Sequence, residues 1–212
     1  SPRDPRFFEL SDGSPYIPIG LNVISPGAAS SEAGLGQMER WMKALSDHGG
    51  NYIRVWLSSP FWEVEHEKAG AYDLERAKRI DRLLELARRY GIRVKFTIEH
   101  FREIEPANVR QRWASKPMHH ISNGGTAADM PDWLANSKSR EQFRAKLAWY
   151  QQRYGDQPAV FGWELWNEMN AVRGGDYQSW TEAMLPELKR LFPRNLALQS
   201  LGSFDTDRAR PA

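Results

Sequence analysis

The chain has 212 residues, 29 basic against 27 acidic side chains for a formal charge of +2, 41% hydrophobic residues and no cysteine, the composition of an ordinary globular chain able to bury a core. The pI near 8.9 rests on two surplus charges spread along the chain, so no nucleic-acid partner is expected, and the missing cysteines exclude disulfides and thiol catalysis. No apolar run approaches the ~20 residues that cross a bilayer, so no membrane partner is expected; Ser1 to Arg6 lack the apolar stretch of a signal peptide, which leaves a cytoplasmic protein or one with its signal removed, a secreted or periplasmic location being slightly favoured.

After a turn signal at Asp12-Gly13, Tyr16 to Val23 reads as a first strand, with Pro18 near its start, where a missing donor is tolerable. Leu35, Met38, Trp41, Met42 and Leu45 recur at helical spacing and Gly49-Gly50 stops the pattern, which predicts a helix over 35–48. A second strand, 51–57, turns Ile53, Val55 and Leu57 to one face and Arg54 and Trp56 to the other. Asp73 precedes a second helix that runs to Tyr90 and stops at Gly91, with Ala77, Ile80, Leu84 and Ala87 as its buried stripe. The third strand, 92–100, separates Val94, Phe96 and Ile98 from Lys95, Thr97 and Glu99.

The segment 100–139 holds Trp113, His119-His120, Gly124-Gly125 and Trp133 without sustained periodicity; loops of this length are usually functional or disordered. A capping-box pattern, Ser139-Arg-Glu-Gln142, is expected to open a third helix lined by Phe143, Leu147, Tyr150 and Tyr154. The fourth strand is the apolar run that begins at Phe161 and ends in Asn167 and Glu168. Alternation puts Phe161, Trp163 and Leu165 on one face and Gly162, Glu164, Trp166 and Glu168 on the other, with Asn167 at the rim. Asp176 precedes a fourth helix through Leu191, with Pro186 as a candidate kink, and 195–201 reads as a fifth strand.

Strand and helix alternate throughout, the pattern of an α/β protein with a parallel sheet. In an open sheet covered by helices both faces of a central strand are apolar, whereas here one face of strands two to four carries Arg54, Lys95 or Glu164. A small barrel accounts for this, with Arg54 and Lys95 expected to offset Glu164 and Glu99 inside it, because unpaired buried charge is costly. No Gly-rich loop follows the first strand, which argues against a dinucleotide-binding open sheet.

In such barrels the active site lies at the carboxyl ends of the strands. Those ends collect Asn22, Trp56 with Ser58, Glu99 with His100, Asn167 with Glu168, and 199–203. Amides, carboxylates and indoles suit a polyhydroxylated ligand, the first two bonding hydroxyls and the third stacking on a sugar's C–H face. Trp56, Trp62 and Trp180 are candidate subsites, with core packing the alternative for each. His119-His120 has no carboxylate or cysteine at ligand spacing, so neither a metal nor another cofactor is expected.

The stretch Trp163-Glu-Leu-Trp-Asn-Glu168, with its lead-in Tyr154-Gly-Asp-Gln-Pro158, resembles the fourth-strand signature of clan A glycoside hydrolases, and most of all family 5, with its cellulases and mannanases. Asn51-Tyr-Ile-Arg54 resembles that family's second-strand Asn-x-x-Arg, and Phe8 to Asn22 is similar to its entry strand. The resemblance implies a (β/α)8 TIM barrel. A whole barrel takes ~250 residues, so 1–212 are expected to form a single domain, the N-terminal portion of a catalytic domain, supplying roughly its first five strand-helix units.

The resemblance further implies a retaining glycoside hydrolase acting on β-linked glycosides of the β-mannan or β-glucan type. Glu168 is then the general acid/base, Asn167 bonds the sugar 2-hydroxyl, Arg54 keeps the nucleophile ionised and His100 lines the site. The nucleophile, a glutamate ~5 Å from the acid/base, is supplied in the family by the seventh strand and is expected outside this segment. Glu99 is a weak substitute, since an inward glutamate beside Lys95 is more ordinarily an ion pair. The expected partners are an oligo- or polysaccharide and the remainder of the same barrel. A non-catalytic carbohydrate-binding barrel is the alternative; a metal-dependent barrel enzyme would need more clustered ligands.

Overall fold

The structure, a computed structural model, describes residues 1, 4–10, 12–28, 30–100, 118–171 and 174–202. A small hairpin, β1 (Phe8–Glu9) and β2 (Pro15–Tyr16), precedes five strands, β3 (Gly20–Ile24), β4 (Tyr52–Trp56), β5 (Arg93–Glu99), β6 (Val160–Trp166) and β7 (Leu196–Leu198). The helices are α1 (Ser31–Asp47), α2 (Leu74–Arg89), α3 (Met130–Ala135), α4 (Ser137–Tyr154) and α5 (Tyr177–Leu191). The sheet order is β3-β4-β5-β6-β7 and every neighbouring pair is parallel. A doubly wound sheet reverses its strand order at a switch point; here the order never reverses, which is the wall of a barrel built strand by strand.

The two faces explain the wall. Ile53, Val55, Leu57, Val94, Phe96, Ile98, Trp163 and Leu165 are all buried and share one core with Met38 and Met42 of α1, Ile80 and Leu84 of α2, Leu147 of α4 and Leu188 of α5. Full burial of such side chains is worth about 1.5–3 kcal/mol each. The helices begin where a side chain satisfies their open N–H groups: Ser30 accepts from Ala33, Asp73 from Glu75 and Arg76, and Asp176 from Ser179. Trp41, expected on the buried stripe of α1, is 38% exposed, and Met38 and Met42 fill that face instead. Pro186 lies within α5, which continues through it.

Four local readings are corrected. The stretch 16–23 is not one strand: Tyr16 pairs with Phe8 in the hairpin, and the sheet strand begins only at Gly20. Pro18 supplies no N–H between them, and the amide of Asn51 holds the gap, its Oδ1 accepting from Ile19 N and its Nδ2 donating to Ile17 O. Phe161 does not share a face with Trp163. A register shift sets Val94 opposite Val160 but Lys95 opposite Gly162; the extra residue, Phe161, meets Tyr52, Tyr16 and Phe8, as bulges re-aim side chains.

Asn136, not Ser139, caps α4, accepting from Lys138 N; Ser139 is buried, its hydroxyl 2.7 Å from that of Thr126. Helix α3 lies inside the aperiodic segment. Its six residues are too few to show a helical period, although Asp129 as cap and Pro131 in the first turn mark its start. Trp113 and Ser203 lie outside the described residues.

Candidate active site

The C-terminal ends of β4, β5 and β6 bring a cation, an amide and a carboxylate together. Arg54 donates through Nε to Glu164 Oε2 at 2.9 Å and through Nη2 to Glu164 Oε1 at 2.7 Å. The same Nη2 reaches Asn167 Oδ1 at 2.8 Å. An arginine has only donors, so the atom of Asn167 that faces it is the oxygen, and the amide NH2 is turned elsewhere. Lys95 Nζ lies 2.8 Å from Glu164 Oε2, and Thr97 donates to the same oxygen at 2.9 Å. Burial alone would raise the pKa of Glu164, but the hydrogen bond from Arg54, the charge and bond of Lys95 and the hydroxyl of Ser200 outweigh it and hold the carboxyl at about 2. Glu164 is thus an interior carboxylate, ionised at neutral pH, that partners both Arg54 and Lys95.

This pairing corrects the expected one for Glu99. With Lys95 committed to Glu164, Glu99 is neutralised by Lys146 of α4, whose Nζ lies 2.6 Å from Glu99 Oε1 and 3.2 Å from Glu65 Oε2. His119 Nε2 stands 3.8 Å from Glu65 Oε2. Glu65, Glu99 and His119 offer ligand atoms within 4.8 Å of one another, the set among the described residues with the geometry to hold a metal. The buried ammonium of Lys146 already serves two of them as cation. His120 instead begins the turn 121–123, its Nδ1 accepting from Ser122 N.

His100 and Trp56 form the next part of the site. Their rings stack at 5.4 Å between centroids and 24° between planes, the guanidinium of Arg54 lies 5.4 Å from the Trp56 centroid, and His100 Nδ1 is 2.5 Å from Ser58 Oγ. Asn22 stands opposite Arg54 in register and is exposed. Asn167 is buried, its N–H bonded to Glu99 O at 2.8 Å. Glu168, next in the chain, is half-buried and turns the backbone sharply, with φ of 51°. Its N–H donates to Ser200 Oγ at 3.1 Å.

Arg54, Trp56, His100, Asn167 and Glu168 therefore share one end of the barrel wall. Trp62 and Trp180 are instead core residues, both 0% exposed. Trp62 packs edge-on against Phe61, and Trp180 sits among Trp133, Phe143 and Trp166, so neither presents a face to a sugar. The strand-end positions 199–203 are expected at the rim without individual roles; among them Ser200 and Gly202 are in contact with Glu168, a pairing that nothing in their local sequence marks.

The cellulase model of glycosyl hydrolase family 5 matches residues 19–194. Mannan endo-1,4-beta-mannosidase 3 of Oryza sativa subsp. japonica is 28% identical over 181 residues, 80% of this chain and 34% of that protein. Mannan endo-1,4-beta-mannosidase 4 of the same plant is 24% identical over 189 residues, 83% of this chain and 40% of that protein. The chain thus spans little more than a third of the length of these curated relatives. Among solved structures, an exo-beta-1,4-mannosidase, Op5Man5, from Opitutaceae bacterium strain TAV5 superposes with a TM-score of 0.69 at 19% identity, covering 92% of this chain and 33% of that one. An endo-1,4-beta-mannanase from Rhizomucor miehei gives 0.66 at 19% identity, covering 93% and 58%. At such identities the superpositions show the fold, a partial (β/α)8 barrel. With the family model matched across most of its length, the chain belongs to the cellulase family, glycosyl hydrolase family 5.

Proposed function

We propose that the protein carrying this chain is a retaining glycoside hydrolase for β-linked glycosides, of the β-mannan type before the β-glucan type, and that residues 1–212 are the N-terminal portion of its catalytic domain. The pair Asn167 and Glu168 at the end of β6 carries this reading, since Arg54 turns the Asn167 amide so that its NH2 can donate to a sugar hydroxyl. Glu168 is the general acid/base: it protonates the leaving oxygen, then takes a proton from the water that opens the glycosyl intermediate. The attacking carboxylate is a glutamate outside this segment. Arg54 favours the ionised form of that attacking carboxylate, and His100, Trp56 and Asn22 line the sugar site. Mannan is favoured because the matched plant relatives are mannan endo-1,4-beta-mannosidases.

The test is Glu168→Gln in the full-length protein, assayed on mannan, cellulose and xylan, with sugar binding followed by calorimetry. Hydrolysis is expected to vanish while binding persists. Undiminished hydrolysis overturns the assignment. A wild-type protein that binds the polysaccharide and cleaves none of the substrates marks a carbohydrate-binding barrel instead.

A further inference from the structure

The end of β7 is fastened to the loop that carries Glu168 at four successive points. Gln199 Nε2 donates to Trp166 O at 2.7 Å, and Ser200 Oγ accepts from Glu168 N at 3.1 Å. Ser200 O accepts from Met169 N at 3.2 Å, and Gly202 N donates to Asn170 Oδ1 at 2.7 Å. Glu168 itself has left-handed backbone, φ 51°, a conformation that a side-chain-bearing residue keeps only where its surroundings over-determine it. The fastening supplies that constraint.

Gly202 stands out within the clamp. A Cβ built on it would lie 2.7 Å from Cγ and 2.8 Å from both Cβ and Cδ of Glu168, whereas its own φ is outside the left-handed range. Carbon atoms in contact stand about 3.5–4.0 Å apart, so any side chain at 202 collides with Glu168. Glycine is therefore required here by the glutamate beside it rather than by its own backbone. Two of the three colliding atoms are at the root of the Glu168 side chain, where turning the carboxylate about its last bond gives no relief.

We infer that Gly202 is a positioning residue for Glu168: the missing side chain sets the direction of the carboxylate, and Ser200 fixes the backbone that carries it. This rests on the reading of Glu168 as general acid/base. A proton donor must lie within hydrogen-bond reach of the oxygen it protonates, and a displacement of about 1 Å can lower a rate by about 10²-fold.

The experiment compares Gly202→Ala, Ser200→Ala and Glu168→Gln in the full-length enzyme on two leaving groups. One is a β-manno-oligosaccharide, whose departing oxygen needs a proton; the other is a dinitrophenyl β-mannoside, whose leaving group does not. Gly202→Ala is expected to lower kcat on the oligosaccharide by about 10²-fold, while the burst rate of dinitrophenol release stays unchanged. Ser200→Ala, which adds no atoms, is expected to shift in the same direction by a smaller factor, and it decides the matter if the alanine at 202 prevents folding. Equal losses on both substrates, or none on either, overturn the clamp. If Glu168→Gln leaves oligosaccharide hydrolysis intact, the acid/base reading falls and the clamp with it; if that variant is inactive while the other two match wild type, the clamp alone falls.

Discussion

Arg54 and Glu164 are 110 residues apart in the chain, yet two N–H groups of one close on the two carboxylate oxygens of the other at 2.9 and 2.7 Å. Side-chain exposure is 13% and 0%. A bidentate guanidinium-carboxylate pair fixes direction as well as distance, and the third bond of Arg54, to Asn167, passes that direction on to the rim. The interior charge of β6 thereby orients the amide next to Glu168.

Glu164→Gln leaves Arg54 and Lys95 without the carboxylate both of them face. Breaking a buried pair by removing one partner costs about 3–5 kcal/mol. Urea unfolding of the full-length variant is expected to show a loss of that order, while Glu168→Gln, at a half-buried rim position, shows little. Equal stabilities for Glu164→Gln and wild type would count against the ion triad.

Acid should undo the same triad. The pKa of Glu164 in the folded chain, about 2, lies below the ordinary 4.5. The unfolded chain therefore takes up its proton first as pH falls. Stability from this group is complete above about pH 4.5 and is lost progressively as pH drops towards about 2. Unfolding free energies measured across that range are expected to fall more steeply for wild type than for Glu164→Gln. Parallel slopes would assign the acid sensitivity to other carboxylates.

Most of this was legible where strand alternation decides. Arg54, Lys95 and Glu164 fall on the inner face by their spacing alone, and their signs require them to pair. The partner of Glu99 was not legible, because a lysine at position 146 within a helix ordinarily reads as solvent-facing, whereas Lys146 is 2% exposed. Phe161 escaped because a bulge inserts one residue without a mark in the sequence. For the tryptophans periodicity identifies a buried face but not what covers it, so Trp56 at the rim and Trp180 in the core looked alike.

That distinction between tryptophans is measurable. Trp180 is 0% exposed and packs against Trp133, Phe143 and Trp166. Trp180→Ala is expected to cost about 3–5 kcal/mol through the cavity it leaves and, in protein that remains folded, to leave sugar affinity alone. Trp56→Ala, at a half-buried position stacked on His100, is expected to weaken sugar binding measured by calorimetry with a smaller loss of stability. Reversed results would return Trp180 to the site.

Lys146→Met tests the second charge cluster. Methionine roughly keeps the length of the lysine stem but removes the ammonium that lies 2.6 Å from Glu99 and 3.2 Å from Glu65. Two buried carboxylates then face each other, and a loss of about 3–5 kcal/mol is expected in the presence of a chelator. The ligand atoms of Glu65, Glu99 and His119 lie within 4.8 Å of one another, and zinc bonds nitrogen and oxygen at about 2.0–2.2 Å, so small side-chain rotations would let one ion replace the lost charge. Zinc binding only the folded state raises stability by mass action. Thermal unfolding of Lys146→Met is therefore expected to move upward with added zinc, while wild type, whose lysine already supplies the positive charge, does not respond. A variant as stable as wild type with chelator present would show that Lys146 does not hold the two glutamates, and a zinc response in wild type would show that the ammonium does not keep metal out.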